Sequence, residues 1–254
     1  MLYRRLPLEG AQNVRDLGGY PVQGGGVTRF GTFIRSESTF RFAPGDLDFL
    51  KTYGVTVSID FRGDNEVERN PSSLTDLPWV KYIRFPTYDK QLAFASRAER
   101  DNSRPPMDAF LDWGEKYIEL VETARHWVRD TLRTMASAEG AVIYNCTTGK
   151  DRAGVISALL LSLAGVSAPD VIADYCVSEL YLAEVYKELL AEYLARWPNE
   201  EGNLDSPFFK TSPKNMEALL RHINDKYGGV ERYAIDCGVS PQEIGALRVK
   251  LVEK

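Results

Sequence analysis

Cys146 and Arg152 stand six residues apart on the run Asn145-Cys-Thr-Thr-Gly-Lys-Asp-Arg152, between the apolar stretch 141–144 and a strongly apolar segment from Gly154 to Ala164. A turn from a strand end into a helix start aims successive backbone amides at one point. The helix dipole adds partial positive charge there, so the loop predicts a nest for a dianionic phosphate. Thr147, Thr148, Gly149, Lys150, Ala153 and Gly154 are the expected phosphate-binding positions, with the glycines allowing close backbone approach. A cysteine in such a nest is favoured as the thiolate, which makes Cys146 the candidate nucleophile. Arg152 can curl over the loop and grip two oxygens through its planar fork. Attack by Cys146 on phosphorus then splits hydrolysis of a phosphoric monoester into two easier steps through a phosphocysteine.

The leaving oxygen needs a proton, and two carboxylates are placed to give it. Asp151 lies within the loop. Asp60 closes the β-branched run Val55–Asp60, a strand expected beside that of Cys146, and ligand sites in open α/β sheets collect at such carboxyl ends. Asp151 ranks first. A Walker A loop, the nearest competitor, needs a spacing of Gly, Lys and Ser/Thr that is absent.

The rest of the composition narrows the setting. Three scattered cysteines exclude a disulfide framework or zinc ribbon, so Cys176 and Cys237 read as small buried hydrophobes. His126 and His222 lie far from any cysteine and read as helix-surface residues, which disfavours a His-rich metal site; no metal and no cofactor are expected. A net charge of -5 argues against a nucleic-acid partner. The amino terminus has neither a signal peptide nor a membrane span, pointing to the cytoplasm, though signal-independent secretion would leave no trace. Oligomeric state is left open.

The elements that must position the loop follow from periodicity. Residues 13–20 and the run 27–34, around Gly24 to Gly26, predict two short strands joined by a glycine turn. Pro44–Tyr53 predicts a helix, Val55–Asp60 a buried strand, and Trp79–Phe85 another strand. Asp64, Glu66 and Glu68 read as a solvated helix start. From Met107 to Ala136, apolar residues at steps of three and four predict one long helix. The apolar helix after the loop ends at Gly165, and two later helices open on capping boxes, Ser167 to Asp170 and Ser240 to Glu243. The irregular stretches 86–105 and 198–213 read as a flap and a lid. No linker divides the chain, so 1–254 is expected to form a single α/β domain.

At these residues the chain resembles the protein tyrosine phosphatase superfamily, whose signature is Cys, five residues, Arg. The Gly149-Lys150-Asp151-Arg152 form is similar to that of bacterial tyrosine phosphatases that also act on phosphoserine, phosphothreonine and phosphoinositides. Asn13-Val-Arg-Asp-Leu-Gly-Gly-Tyr20, Phe33-Ile-Arg-Ser36, Ser58-Ile-Asp-Phe-Arg62, Asp174-Tyr175 and Tyr227-Gly-Gly-Val230 resemble further motifs of that family. The resemblance implies a dual-specificity-phosphatase-like fold, a central mostly parallel sheet flanked by helices with an elaborated helical carboxyl-terminal half. It also implies a phosphorylated protein or phosphoinositide as substrate, and the same roles for Cys146, Asp151 and Arg152. Lys150 is similar to a lysine in the loop of a lipid phosphatase. Two positions depart from the pattern: Asn145 replaces the usual His, and Ala153 the usual Thr. Their paired loss motivates the alternative of a slow enzyme or a phosphate-binding pseudophosphatase. Arg15 and Asp16 are expected to brace each other and the loop, and Arg35 and Arg62 either to line the pocket or to pair structurally.

Overall fold

The computed structural model describes residues 4–87, 112–196, 198 and 202–254. Its central sheet has five strands in the order β1 (Arg15–Asp16), β3 (Phe33–Ser36), β6 (Ala141–Asn145), β4 (Val55–Asp60) and β5 (Lys81–Arg84). β3, β6, β4 and β5 run parallel and β1 is antiparallel to β3. Parallel strands covered on both faces read as near-continuous apolar runs, and this sheet does. Phe33, Ile59, Val142 and Tyr144 face one core, while Ile34, Ala141 and Ile143 face the other. The second core is closed by α1 (Pro44–Tyr53) through Leu50.

The larger core is built around α5 (Arg152–Ala164), in which every residue except Ser162 is buried. A left-handed Gly165 (φ 88°) ends that helix where the sequence places its stop. Against it pack α6 (Ala168–Tyr181), α9 (Val230–Asp236) and α10 (Pro241–Leu251), with α7 (Ala183–Arg196) and α8 (Pro213–Tyr227) packed beyond on α6.

Several expectations change. The run 27–34 is two strands, not one: β2 (Val27–Thr28) leaves the central sheet to pair antiparallel with β7 (Val252–Glu253), and Gly31 turns the chain into β3. The long helix is two, α3 (Trp113–Thr123) and α4 (Arg125–Ser137), broken at Ala124 (φ -108°, ψ 39°), and positions 107–111 lie outside the described residues. The apolar stripe stays in phase through the break, so periodicity misses it; α3 packs on α8 while α4 packs on α10. The Ser240 box forms in full, whereas Asp170 accepts from the Ser167 hydroxyl (2.7 Å) instead of reaching back to the backbone. Most of the expected flap, 88–105, lies outside the described residues, as do 199–201 of the expected lid.

Candidate active site

Ser36, Asn145 and Asp60 end three adjacent parallel strands in register, and the Cys146 loop rises from the middle one. Four successive carbonyls of that loop are each drawn away from its concave side. The Ser38 amide donates to Thr147 O (3.0 Å) and Asn13 Nδ2 to Thr148 O (2.9 Å). Arg35 Nη2 donates to both Gly149 O (2.7 Å) and Lys150 O (3.2 Å). A trans peptide holds its C=O and the next N–H on opposite sides, so pulling these carbonyls outward turns the amides of 148 to 151 inward. Among the described residues, none of those amides donates elsewhere. Gly149 (φ 71°) permits the tight bend, and a Cβ there would stand 2.6 Å from Ser36 O.

Cys146, which opens this loop, is buried. Arg35, Lys150 and Arg152 are all within electrostatic reach of its sulfur. Arg152 is not extended toward solvent. Its Nη1 and Nη2 donate to Glu66 Oε2 (2.9 Å) and Oε1 (2.7 Å), and also to Phe61 O (3.1 Å) and Thr147 Oγ1 (3.2 Å). Its Nε–H is buried and has no hydrogen-bond partner among the described residues. Glu66, on α2 (Asp64–Arg69), is therefore no solvated helix residue: it also accepts from Thr147 Oγ1 and from the Gly63 amide (2.8 Å). Burial would raise its carboxyl, but the hydrogen bond and charge of Arg152 outweigh that and hold it at about 2. The signal was Glu66's place four residues past Arg62, just beyond the carboxyl end of β4, where α2 points its first turn at the loop.

The two candidate proton donors differ sharply. Asp60 is fully buried. Its Oδ1 accepts from the amide and Nε of Arg62 and from Asn145 Nδ2, each at 3.0 Å. Its Oδ2 accepts from Arg62 Nη2 (2.7 Å) and Tyr82 OH (2.8 Å). Both oxygens of Asp60 are thus engaged, one by Arg62 and Asn145 and the other by Arg62 and Tyr82. Asp151 is 18% exposed, and Tyr117 OH donates to its Oδ1 at 2.5 Å.

Lys150 does not border an open basic pocket. Its Nζ donates to Phe208 O (2.7 Å), lies 4.5 Å from the Trp113 ring centroid and 3.8 Å from Asp151 Oδ1. Burial lowers its pKa. The roof over it is the 3-10 turn Pro207–Phe209, part of the segment expected to act as a lid. Arg35 and Arg62 both pair structurally, Arg62 with Asp60 and Arg35 with Asp174. Arg15 shares Asp174 (Nε to Oδ1, 2.8 Å) and does not brace Asp16, which instead accepts from the amides of Gly18 (2.6 Å) and Gly31 (2.7 Å) and from Tyr53 OH (2.8 Å). Ala153 and Gly154 lie buried in the first turn of α5. His222 bonds Glu122 (2.7 Å) on the surface of α8.

Among the described residues no three His, Cys, Asp or Glu side chains are grouped to hold a metal ion, and no helix is long and apolar enough to cross a membrane.

Residues 6–253 match the profile of the tyrosine phosphatase family. The chain is 31% identical over 225 residues to a tyrosine-protein phosphatase of Nostoc commune, covering 86% of this chain and 74% of that protein. It is 23% identical over 284 residues to the triple specificity protein phosphatase PtpB of Mycobacterium tuberculosis, covering 98% of each. Among solved structures, TpbA of P. aeruginosa in complex with pTyr aligns with 82% of this chain and 87% of its own at 15% identity and a TM-score of 0.37.

Proposed function

This chain belongs to the tyrosine phosphatase family and is a tyrosine/dual-specificity phosphatase, and from that premise we propose that it works through a phosphocysteine intermediate on Cys146. The observation that supports the reading is the turning of four successive loop peptides, which directs the amides of 148 to 151 to the inner side of the loop that opens at Cys146. The unpartnered Nε–H of Arg152 supplies a further charged donor to the same anion.

In the first step the thiolate Sγ forms a bond to phosphorus as the ester P–O bond breaks, and Asp151 gives its proton to the departing oxygen. The amides and Arg152 stabilise charge on the three equatorial oxygens. In the second step Asp151 takes a proton from water as the water oxygen bonds phosphorus and the P–S bond breaks, releasing inorganic phosphate and restoring both groups. Asn145 donates to Asp60 and so retains a hydrogen-bonding role where the family pattern has His, which favours an active enzyme over a pseudophosphatase. The proposed substrates are phosphotyrosine and, by analogy with the triple-specificity relative, phosphoserine and phosphothreonine in proteins. Burial of Lys150 beneath Trp113 and Phe208 argues against a wide basic pocket for an inositol ring.

The test is phosphate release from an aryl phosphate in EDTA by the wild type and by Cys146→Ser. Turnover by the wild type and none by the variant is expected. Activity that persists in Cys146→Ser, or a wild type that turns over only when metal is restored, would overturn the mechanism.

A further inference from the structure

Asp151 stands at the end of a chain of side chains drawn from three helices, two buried tyrosines and a half-buried asparagine. Tyr117 of α3 and Tyr175 of α6 are both almost fully buried, with their hydroxyls 2.8 Å apart. Asn215 Nδ2 of α8 donates to Tyr175 OH at 3.3 Å. The direction of every bond is fixed by chemistry. The Asn215 Nδ2 group can only donate, and Oδ1 of Asp151 accepts from Tyr117 both when the carboxyl is ionised and when its proton sits on Oδ2. Tyr117 has one hydroxyl hydrogen and gives it to Asp151, so the hydrogen between the tyrosines comes from Tyr175. The relay therefore runs one way, from Asn215 through Tyr175 and Tyr117 to Oδ1 of Asp151. Both rings are held by packing: they meet edge to face at 5.8 Å, and Trp113 flanks Tyr117 at 6.0 Å.

The relay engages only one carboxylate oxygen. Oδ1 receives Tyr117 and lies nearest Lys150 Nζ, whereas Oδ2 makes no hydrogen bond among the described residues and belongs to a side chain that is partly exposed. An untethered aspartate at the start of a helix samples several rotamers. This one has its plane fixed, with Oδ2 left as the oxygen able to exchange a proton with substrate.

We propose that Tyr117, backed by Tyr175 and Asn215, is a positioning residue that holds Asp151 by Oδ1 so that Oδ2 delivers the proton to the leaving oxygen. The inference rests on Asp151 as the proton donor. Burial, reinforced by the Asp151 charge, raises both tyrosine hydroxyls, so they remain protonated donors throughout any working pH range.

In the first step a group that positions a general acid matters only when the leaving group needs a proton, and kcat/KM reports that step without the later hydrolysis of the phosphocysteine, in which Asp151 serves every substrate alike. Tyr117→Phe keeps the ring and its packing and removes one hydroxyl. With phenyl phosphate, whose leaving oxygen is as basic as that of tyrosine, kcat/KM is expected to fall about tenfold or more, a part of the roughly 100- to 10,000-fold that general acid catalysis supplies. With para-nitrophenyl phosphate, whose phenolate departs readily, kcat/KM should stay within about twofold. Tyr175→Phe should show the same split more weakly, and Asp151→Asn more strongly. Thermal melting establishes that each variant is folded; if Tyr117→Phe is not, Tyr175→Phe decides by the same ratio. Equal losses on both substrates, with Asp151→Asn still discriminating between them, would overturn the relay while leaving Asp151 as the acid. An Asp151→Asn variant without discrimination would instead overturn the assignment of Asp151 on which the relay stands.

Discussion

Arg152 offers five N–H donors in a planar fork, and Glu66 occupies one edge of that fork through Nη1 and Nη2, leaving Nε on another. The pair presets the guanidinium, so that less freedom is lost when phosphate arrives. Glu66→Gln retains one acceptor and loses the charge. Charge-assisted bonds of this kind contribute about 1.5–3 kcal/mol, so kcat/KM is expected to fall roughly tenfold to a hundredfold, read from initial rates on an aryl phosphate. The same substitution has a pH signature. The Glu66 carboxyl is held at about 2 against an ordinary 4.5. Because its folded value is depressed, the stabilisation is complete above pH 4.5 and fades as pH falls through 2. Thermal melts should therefore separate wild type from Glu66→Gln near neutrality and converge on acidification; curves equally far apart at every pH would show that the pair's charge is not what stabilises it.

At the scale of elements, the loop is shaped by its neighbours as much as by its own sequence. β3 supplies Arg35 and the Ser36 carbonyl against which Gly149 packs, and the turn after β3 supplies the Ser38 amide. Gly149→Ala would place a Cβ 2.6 Å from backbone that cannot yield, at a φ of 71°. The expected outcome is a loss of about 1–3 kcal/mol in urea unfolding, accompanied by a much larger loss of activity, since the amides of 149 to 151 turn with the peptide. Unchanged kinetics would mean that loop geometry does not set the rate. Much of this arrangement was legible in the sequence. The β-branched run Val55–Asp60, the apolar 141–144 and the Gly165 stop place β4, β6 and α5, and the spacing of Cys146 and Arg152 places the loop between them. What escaped notice depends on contacts between distant segments. Glu66 meets Arg152 across 86 residues and Lys150 meets Phe208 across 58; the place of Glu66 just past β4 hints at the first pairing, and no local pattern encodes the second. The break at Ala124 escaped because the stripe on both helices keeps one phase.

Across the whole molecule, the ends of the chain are stitched together. β2 pairs with β7, and the Arg29 amide donates to Leu251 O at 2.7 Å. Deeper inside, Asp174 of α6 joins the helical carboxyl-terminal half to the amino-terminal strands. Its carboxylate accepts from Arg15 of β1, Arg35 of β3 and the Tyr20 hydroxyl, all buried. Burial would raise the Asp174 carboxyl, but Arg15 and Arg35 together pull it well below the ordinary carboxylate range. Its stabilisation is thus present above the ordinary value of 3.8 and is lost as pH falls below it. Asp174→Asn leaves two buried guanidinium groups facing a neutral partner, a defect that costs about 3–5 kcal/mol out of a total stability usually near 5–15 kcal/mol. Because the triad ties β1 and β3 to α6, and because Arg35 also holds the Gly149 and Lys150 carbonyls, the expected result is a single urea transition at a much lower midpoint. Tryptophan fluorescence and residual activity should decline together along it. Two separated transitions, one carrying activity and one not, would show that the amino-terminal strands and the carboxyl-terminal helices fold as independent units and that 1–254 is not one domain.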